Sequence, residues 1–304
     1  MIHVLGAGSM GCLWAAHLSQ QHSVNFLTTR ENHPARQIFT LSKPYQETSQ
    51  DYQIPIVSPS SLPEEVSTLL VCTKSMDALP ALMQLKDKIT NKTKLVLFQN
   101  GLGSQFSIIK HFPDNAIFAA VSTEGANRRS ATEIIHAGVG LTVIGLLNQL
   151  NTIEDKQETI VTKECFELLN SAELMVQMKK DIWQALWSKL VINCAINPFT
   201  ALLNCKNGEV KSHIFFKERW PELRCELSNL MQAAGYPRSE LEIEHTVFDV
   251  MEKTENNISS MLQDIRAKRL TEIDDINGFA STFLKSKNLS FTVNHQLWQA
   301  VLKL

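Results

Sequence analysis

The chain of 304 residues is 44% hydrophobic and 20% charged, and its formal net charge is −2. This composition is typical of a globular protein, and the near-neutral charge excludes an electrostatic basis for binding nucleic acid or an anionic membrane. Because the sequence has no run of about 18 apolar residues, we expect no membrane-spanning segment.

The chain opens with a strand, a glycine-rich turn, a helix and a second strand. Residues 2–5 are the apolar strand, residues 12–19 the predicted helix and residues 24–27 the second strand. The turn between them has the GxGxxG spacing, whose glycines permit a tight turn, a close approach to a pyrophosphate and helix–strand packing. This order predicts dinucleotide binding, with the phosphates at the helix N-terminus, and the alternative is a glycine-rich turn without a ligand. The turn consists of Gly6, Ala7, Gly8, Ser9, Met10 and Gly11.

The residues after the second strand indicate which nicotinamide cofactor is bound. Enzymes that use NAD place an Asp or Glu there to bind the ribose 2′-hydroxyl. Here the strand runs into Thr28, Thr29 and Arg30, and hydroxyls beside a guanidinium suit the 2′-phosphate of NADP(H). Glu31 follows at once and would favour NAD if its carboxylate turned inward. We therefore expect NADP(H), with NAD as the alternative.

Two further buried strands are predicted at residues 68–73 and 94–98, and a polar side chain follows each of them. Lys74 comes after the first strand, and Asn100 comes after the second. Ligands bind beyond the carboxyl ends of parallel strands, so both side chains lie where a cofactor or substrate would meet them. The alternative interpretation is a solvated loop lysine and an asparagine that serves a turn before Gly101.

The rest of the first half continues the α/β pattern. Residues 33–65 are polar, with short strand-like pieces such as residues 52–57, and carry no recognisable chemistry. An antiparallel pair is predicted at residues 132–135 and 141–144. The other two strands are predicted at residues 116–121 and 174–177.

A domain boundary is predicted near residue 180. From residue 181 the hydrophobic period changes from about two to about 3.6 residues, which indicates helices. A chain of this length is sufficient for two domains. We expect residues 1–180 to form an α/β Rossmann domain with a mostly parallel sheet, and residues 181–304 to form an all-α domain.

The most informative stretch of the second half is WSKLVINCAINPFTALLNCKNGE, which begins at residue 187. Its polar residues recur so that, at about 100° per residue, they fall within roughly an 80° arc of a helix. Pro198 removes a backbone donor and is expected to kink or break the helix, so the prediction is firmest before it. The polar residues are Lys189, Asn193, Asn197, Asn204 and Asn207.

This polar face indicates a ligand site. Asparagine is a poor helix former, because its side chain competes for nearby backbone groups, so repeated asparagines on an apolar helix suggest amides that face a polar ligand. A lysine among them would act as a proton donor, since desolvation lowers a lysine pKa toward neutrality. The alternative is a solvated helix face.

One other segment of the second half is relevant to the site. Residues 256–260 combine Asn and Ser in the manner of a helix N-cap, and capping is the simpler interpretation, although a capped helix start also binds carboxylates.

The six cysteines lie in apolar segments without a metal-binding spacing. Since a strand at residue 2 leaves no room for an export signal, we interpret them as reduced cysteines of a cytoplasmic protein.

Taken together, these motifs resemble the ketopantoate reductases (2-dehydropantoate 2-reductases) over nearly the whole chain. The match includes GAGSMG at residue 6, Lys74 after a buried strand and QNGLG at residue 99. It continues with the polar-face motif and with SSMLQDIRAKRLTEIDDINGF at residue 259, which are far more specific than the glycine turn. The chain departs from the family pattern at Gln21-His22 and at Glu124.

The resemblance implies an enzyme that reduces 2-dehydropantoate to pantoate with NADPH, on the route to pantothenate and coenzyme A, at a site between a Rossmann domain and a helical domain. It implies that Lys189 donates the proton and that Glu272 lies near this lysine and the cofactor. The implied cofactor contacts are the loop from Gly6 to Gly11, Arg30, Lys74, Asn100, Ala126 and Glu272. The implied substrate contacts are Asn100, Lys189, Asn193, Asn197, Asn207 and Ser260.

Other functions remain open at this point. A β-hydroxyacid dehydrogenase also combines a Rossmann domain with a lysine and an asparagine four residues later. A reductase of another branched 2-oxoacid, or a non-catalytic NADP-binding sensor, are the further alternatives. In each enzymatic case we expect a small 2-oxoacid or hydroxyacid as the partner, no nucleic acid or membrane, no metal, and a monomer or homodimer.

Overall fold

The computed structural model describes residues 1–30, 32–44, 48–62, 65–148 and 155–304. The chain divides into two compact units. Unit 1 comprises Met1–Gln99 and Ser104–Trp183, and unit 2 comprises Asn100–Gly103 and Gln184–Leu304. The change of unit after Trp183 lies close to the position where the hydrophobic period changes, whereas no sequence pattern indicates that Asn100–Gly103 belongs with the helical residues.

Unit 1 is built on one sheet of eleven strands, whose order is β11-β10-β7-β6-β5-β1-β2-β4-β3-β9-β8. Neighbouring strands run parallel except at β7–β10, β3–β4 and β8–β9, which confirms the predicted mostly parallel sheet. The strands are β1 (Ile2–Leu5), β2 (Val24–Leu27), β3 (Arg36–Ser42), β4 (Ser49–Val57), β5 (Thr68–Val71), β6 (Lys94–Leu97), β7 (Ile117–Ser122), β8 (Gly125–Arg128), β9 (Glu133–Gly138), β10 (Thr142–Leu146) and β11 (Val176–Met178).

The central strands β1 and β5 are buried along their whole length. Such short, continuously apolar strands suit a parallel sheet that is covered by helices. Under the first helix the core contains Trp14, Phe26 and Phe118, each at most 1% exposed. The helices of unit 1 are α1 (Ser9–Leu18), α2 (Ser75–Met83), α3 (Ser104–His111) and α4 (Asp155–Asn170).

One prediction about the strands was wrong. The segments at residues 132–135 and 141–144 do not pair with each other, because β9 lies between β3 and β8 while β10 lies between β7 and β11. The error concerns pairing partners, which the local sequence pattern does not specify. The strand-like pieces expected in residues 33–65 are the two strands β3 and β4, which form an antiparallel pair.

The described residues of unit 2 form helices and turns without a strand, as predicted. Two short irregular turns separate the α-helices, a 3₁₀ turn at Asn207–Ser212 and a π-helical turn at Asp274–Gly278. The α-helices are α5 (Ile182–Leu203), α6 (Ile214–Ala233), α7 (Glu240–Lys253), α8 (Ser260–Arg266), α9 (Phe279–Ser286) and α10 (Thr292–Val301).

The expectation of a helix break at Pro198 was wrong, because α5 continues through it to Leu203. A proline in a helix leaves the carbonyl four residues earlier without its amide partner. Here that carbonyl belongs to Cys194, and the Asn277 side chain donates a hydrogen bond to it at 3.2 Å. The helix therefore tolerates Pro198 because a side chain from elsewhere in unit 2 replaces the missing donor.

The polar face of α5 is also shorter than predicted. Asn204 follows the helix in the left-handed region, with φ +49, and its side chain accepts a hydrogen bond from Arg266 at 2.9 Å. Asn207 begins the separate 3₁₀ turn. Only Lys189, Asn193 and Asn197 therefore share the helical face.

Helix α5 is also long and apolar enough to cross a membrane by length and mean hydropathy, although it is not a continuous apolar run. Within its most apolar 18-residue window, 67% is buried inside the protein, which is the environment of a core helix. None of the six cysteines is bonded to another, and Cys225 is the exposed one.

Candidate active site

The glycine loop between β1 and α1 has a backbone shaped for a close ligand. Gly6 has φ +109, and a Cβ there would lie 2.7 Å from the Thr73 amide nitrogen, so only glycine fits. A Cβ on Gly11 would overlap the Gly6 carbonyl oxygen. The nearest atom to a Cβ on Gly8 is the Cys72 carbonyl oxygen at 4.0 Å, which leaves room for a bound group.

The start of α1 suits a phosphate. Gly8 is the N-cap residue and provides no side-chain hydrogen bond to the first turn, which contains no acidic residue. Backbone amides at a helix N-terminus, together with the helix dipole, bind phosphate groups. Ala7, Ser9 and Met10 are half-buried in the same loop. The loop therefore fits the pyrophosphate of a dinucleotide.

Arg128 in β8 supports this loop and was missed by the sequence analysis. Its guanidinium donates to the Ala7 carbonyl oxygen at 3.0 Å and to the Ala131 carbonyl oxygen at 2.9 Å. The two residues Ala7 and Arg128 are far apart in sequence, so no local motif connects them. A long-range hydrogen bond of this kind holds the loop backbone in place.

Glu124 does not project a free carboxylate from its strand end. Its side chain is buried and lies 2.7 Å from His136 Nε2. Ala126, which the family resemblance implies is a cofactor contact, is half-buried in β8 and packs against the core of unit 1. The departure from the family pattern at Glu124 is therefore accommodated by a buried Glu–His pair.

Two other cofactor contacts that the resemblance implies, Arg30 and Lys74, lie in the loops after strands β2 and β5. Arg30 is exposed beyond β2, and its backbone amide donates to the Thr28 hydroxyl at 3.2 Å. Lys74 is the half-buried N-cap residue of α2, directly beyond β5. Glu31, the residue that would favour NAD, lies outside the described residues. The roles of Arg30 and Lys74 stay predictions.

In unit 2, Lys189 begins the polar face of α5. The side chain is half-buried, and burial lowers the pKa of Lys189 to about 8, while the Glu272 carboxylate acts in the opposite direction and raises it. Asn193 lies one turn later and is half-buried, and Asn197 lies a further turn on and is 8% exposed. An amine with a pKa lowered to about 8 beside two amides has the chemistry of a proton donor in a polar site.

Glu272 connects this lysine to the residues that follow β6. The Asn100 side chain donates a hydrogen bond to the Glu272 carboxylate at 3.0 Å. Two residues after Asn100 and three residues after Glu272, the Leu102 amide donates to the Asp275 carbonyl oxygen at 2.8 Å. Glu272 and Asn100 are therefore brought together with Lys189 in unit 2, although 172 residues separate the first pair.

Asn207 provides an unsatisfied acceptor. Its side-chain nitrogen donates to the Thr254 hydroxyl at 2.9 Å, and its backbone amide donates to the Asn257 carbonyl oxygen at 3.0 Å. The side-chain oxygen is buried and has no hydrogen-bond partner among the described residues. A buried acceptor without a partner is destabilising unless a ligand or water supplies a donor.

The two serines at the start of α8, Ser259 and Ser260, have different environments. Ser259 is the N-cap: its hydroxyl accepts from the Leu262 amide at 3.1 Å and lies 2.6 Å from the Thr200 hydroxyl. Ser260 is the first helical residue and is exposed. The predicted cap is therefore present, while the substrate role of Ser260 stays a prediction.

Comparisons with known proteins match the whole chain to one group. The family profile described as ketopantoate reductase PanE/ApbA matches residues 2–149, and its C-terminal counterpart matches residues 181–304. A 2-dehydropantoate 2-reductase of Yersinia pestis is 32% identical over 99% of this chain and 93% of its own length. The enzyme of the same name from Vibrio cholerae is 31% identical over 99% of this chain and 96% of its own length.

Solved structures with lower sequence identity share the fold. A complex of D-mandelate dehydrogenase with NADH and anilino(oxo)acetate has a TM-score of 0.87 at 20% identity, and the match covers 100% of this chain and 97% of the other. A probable 2-dehydropantoate 2-reductase of Bacillus subtilis has a TM-score of 0.77 at 24% identity, covering 99% of both chains. These likenesses support the two-part fold, and the sequence relatives indicate the family.

Proposed function

Because the chain belongs to the ketopantoate reductase family, we propose that it reduces 2-dehydropantoate (ketopantoate) to pantoate with NADPH. As a member of this family it is an oxidoreductase that acts on a CH–OH group and uses a nicotinamide cofactor. The observation that supports the substrate reaction most directly is Lys189, a half-buried amine with a pKa near 8 at the head of an amide-lined helix face. The pathway to pantothenate and coenzyme A follows from the same proposal.

In the proposed reaction a bound nicotinamide cofactor would supply the hydride that reduces the ketone carbon of the substrate. The carbonyl electron pair then moves to the oxygen, where the Lys189 ammonium stabilises the growing negative charge and donates a proton. The neutral amine left on Lys189 takes a proton from solvent before the next turnover. Glu272 holds the lysine in its charged form, and Asn100 orients the Glu272 carboxylate through their hydrogen bond.

The polar residues of unit 2 match the oxygen atoms of ketopantoate. This 2-oxoacid carries a carboxylate, a ketone and a hydroxyl on a branched carbon chain. Asn193 and Asn197 supply amides beside Lys189, and the buried side-chain oxygen of Asn207 would accept a hydrogen bond from the substrate hydroxyl. Ser260 contributes a hydroxyl that would bind the carboxylate, and Asn100 completes the proposed substrate contacts.

The substrate is tested by comparing 2-oxoacids and hydroxyacids at fixed NADPH or NADP concentration. We expect ketopantoate to be preferred over 3,3-dimethyl-2-oxobutanoate, which has the same branching without the hydroxyl, by about 10⁴-fold or more in kcat/KM, because the partner of the missing group stays unsatisfied. Preference for 2-oxoisovalerate would indicate a reductase of another branched 2-oxoacid. Oxidation of a β-hydroxyacid at a higher rate than that of pantoate would indicate a β-hydroxyacid dehydrogenase.

We expect NADPH to be preferred over NADH through Thr28, Thr29 and Arg30. The Arg30→Ala variant should show a KM for NADPH raised by about tenfold or more, because a charge-assisted contact to the 2′-phosphate is lost, with NADH use nearly unchanged. Arg129→Ala, which removes an exposed arginine of the same unit, is the matched control. Unaltered NADPH kinetics in Arg30→Ala would show that another group recognises the ribose.

Asn193 and Asn197 are proposed to bind substrate. Changing either to Ala should raise the KM for ketopantoate by about tenfold or more, since each loses a hydrogen bond of about 1–2 kcal/mol, with little change in melting temperature. Asn229→Ala on α6 is the control for loss of an asparagine outside the polar face. If the melting temperature falls sharply while the folded fraction keeps normal kinetics, the two amides are structural.

We propose that the enzyme acts in the cytoplasm on small molecules, as a monomer or homodimer. The relative from Staphylococcus aureus is described as a dimeric ketopantoate reductase, at 19% identity and a TM-score of 0.77. Size-exclusion chromatography with light scattering distinguishes the two oligomeric states directly.

A further inference from the structure

A buried hydrogen-bond network in unit 2 joins the helix of Lys189 to the turn that follows Glu272. Asn277 is fully buried, and its side-chain nitrogen donates both to the Cys194 carbonyl oxygen, at 3.2 Å, and to the Asn294 side-chain oxygen, at 3.0 Å. The first of these bonds replaces the helical donor that Pro198 lacks. Asn277 therefore serves as the donor that completes α5 at the proline.

The network ends on a buried carboxylate. Glu226 of α6 is 1% exposed and accepts from the side chain and the backbone amide of Asn294, at 2.8 and 2.9 Å, and from the backbone amide of Val293 at 2.8 Å. It thereby caps α10, whose own N-cap residue has no capping side chain. Burial raises the pKa of Glu226, and the hydrogen bonds from Asn294 and Val293 lower it. The donors named in this network are paired, whereas the Asn277 side-chain oxygen is buried without a hydrogen-bond partner among the described residues.

The hydrogen bond between Asn277 and Cys194 joins two residues that each lie five positions after a charged residue of the site. Cys194 is five residues after Lys189 on α5, and Asn277 is five residues after Glu272. Asn277 itself lies in the π-helical turn, which is closed by a hydrogen bond from the Gly278 amide to the Ile273 carbonyl oxygen at 3.0 Å. Such turns are rare and are concentrated at functional sites, where the surrounding structure holds them in place.

We propose that Asn277 is a positioning residue, whose hydrogen bond to the Cys194 carbonyl sets the separation of the Lys189 ammonium and the Glu272 carboxylate. Pro198 contributes to this arrangement, because it has no backbone amide to bond the Cys194 carbonyl and so leaves that carbonyl available to a side chain. This inference rests on the proposed function only for its effect on turnover. The geometric effect on Lys189 exists whatever the substrate is.

The test measures the titration of Lys189 directly. The protein is labelled competitively with trace acetic anhydride at a series of pH values, and mass spectrometry gives the extent of acetylation of the peptide that contains Lys189. Loss of the hydrogen bond between Asn277 and Cys194 should let Glu272 move away from Lys189. The Glu272 carboxylate would then stabilise the Lys189 ammonium less. In Asn277→Ala we expect the titration midpoint to fall by about 0.5 pH unit or more. Turnover of ketopantoate should fall about tenfold to a hundredfold, because the reacting groups are misplaced, with the KM for NADPH unchanged.

A double variant separates positioning from stability. Asn277→Ala with Pro198→Ala restores a backbone donor to the Cys194 carbonyl, so the melting temperature should recover, yet the link between helix and turn stays broken. We therefore expect the Lys189 midpoint to remain displaced in the double variant, which also provides a folded protein if Asn277→Ala alone does not fold. Asn115→Ala, which removes a buried amide that donates to Thr90 and Thr93 in unit 1, is the control and should leave the midpoint unchanged.

The outcomes distinguish the inference from the proposed function. A Lys189 midpoint that stays at the wild-type value in Asn277→Ala, or returns to it in the double variant, overturns the positioning role. A wild-type protein that binds NADPH but does not reduce ketopantoate overturns the proposed function, while the labelling experiment still decides the role of Asn277.

Discussion

Replacing Lys189 by Ala is expected to lower the turnover of ketopantoate by about 10²–10⁴-fold, because it removes both the proton and the charge that stabilises the developing alkoxide. NADPH affinity should stay near normal, since the glycine loop that fits the pyrophosphate belongs to unit 1. Steady-state kinetics with saturating substrate, together with NADPH binding measured by fluorescence, separate the two effects.

Two companion measurements define the role of this lysine. In wild type, the rate of ketone reduction should fall as the pH rises through about 8, because the donor form of Lys189 is lost as it deprotonates. Lys189→Arg keeps a positive charge but cannot donate a proton near neutral pH, so it should remain strongly impaired and lose this pH dependence. Lys253→Ala removes an exposed lysine of unit 2 and should have wild-type kinetics. A Lys189→Ala enzyme with turnover close to wild type would exclude the acid role.

Replacing Gly101 by Ala is expected to lower both the stability and the turnover of the protein. Gly101 has φ +77, and a Cβ there would collide with the Asp275 carbonyl oxygen. The left-handed backbone costs a non-glycine residue about 1–3 kcal/mol, and the overpacking adds about 1–3 kcal/mol. The collision also separates Asn100 from Glu272, so we expect turnover to fall together with the free energy of unfolding.

Gly235 is the matched control for this change. It also has a left-handed backbone, with φ +87, but a Cβ there would meet no atom within 4 Å. Gly235→Ala should therefore lose only the conformational part of the stability, about 1–3 kcal/mol, and keep its turnover. Denaturant unfolding of both variants measures the difference. Equal losses of stability and equal turnover in the two variants would show that the Gly101–Asp275 contact does not matter.

The local part of the site was predictable from sequence. Lys189, Asn193 and Asn197 recur at four-residue intervals on an apolar background, and this period alone places them on one helical face. The glycine loop was predictable for a similar reason, because GxGxxG after a strand defines the backbone of about six residues. In both cases the information lies within one helical turn or one loop.

The rest of the site depends on contacts between distant segments. The hydrogen bond from Asn100 to Glu272 joins two residues whose separate sequence contexts, a turn and a charged stretch, indicate nothing about each other. Pro198 gave the expectation of a helix break because its compensating donor, Asn277, lies 83 residues away from Cys194. The same limitation explains the strand pairing error at β9 and β10, since β9 pairs with β8 and β3 while β10 pairs with β7 and β11.

The most direct test of the proposed function is the absorbance of NADPH followed in the presence of purified protein and ketopantoate. We predict a ketopantoate-dependent decrease in absorbance, with one pantoate formed for each NADPH oxidised and a slower reaction with NADH. A folded protein that binds NADPH but shows no decrease in absorbance on addition of ketopantoate would contradict the proposal and favour a non-catalytic NADP-binding role.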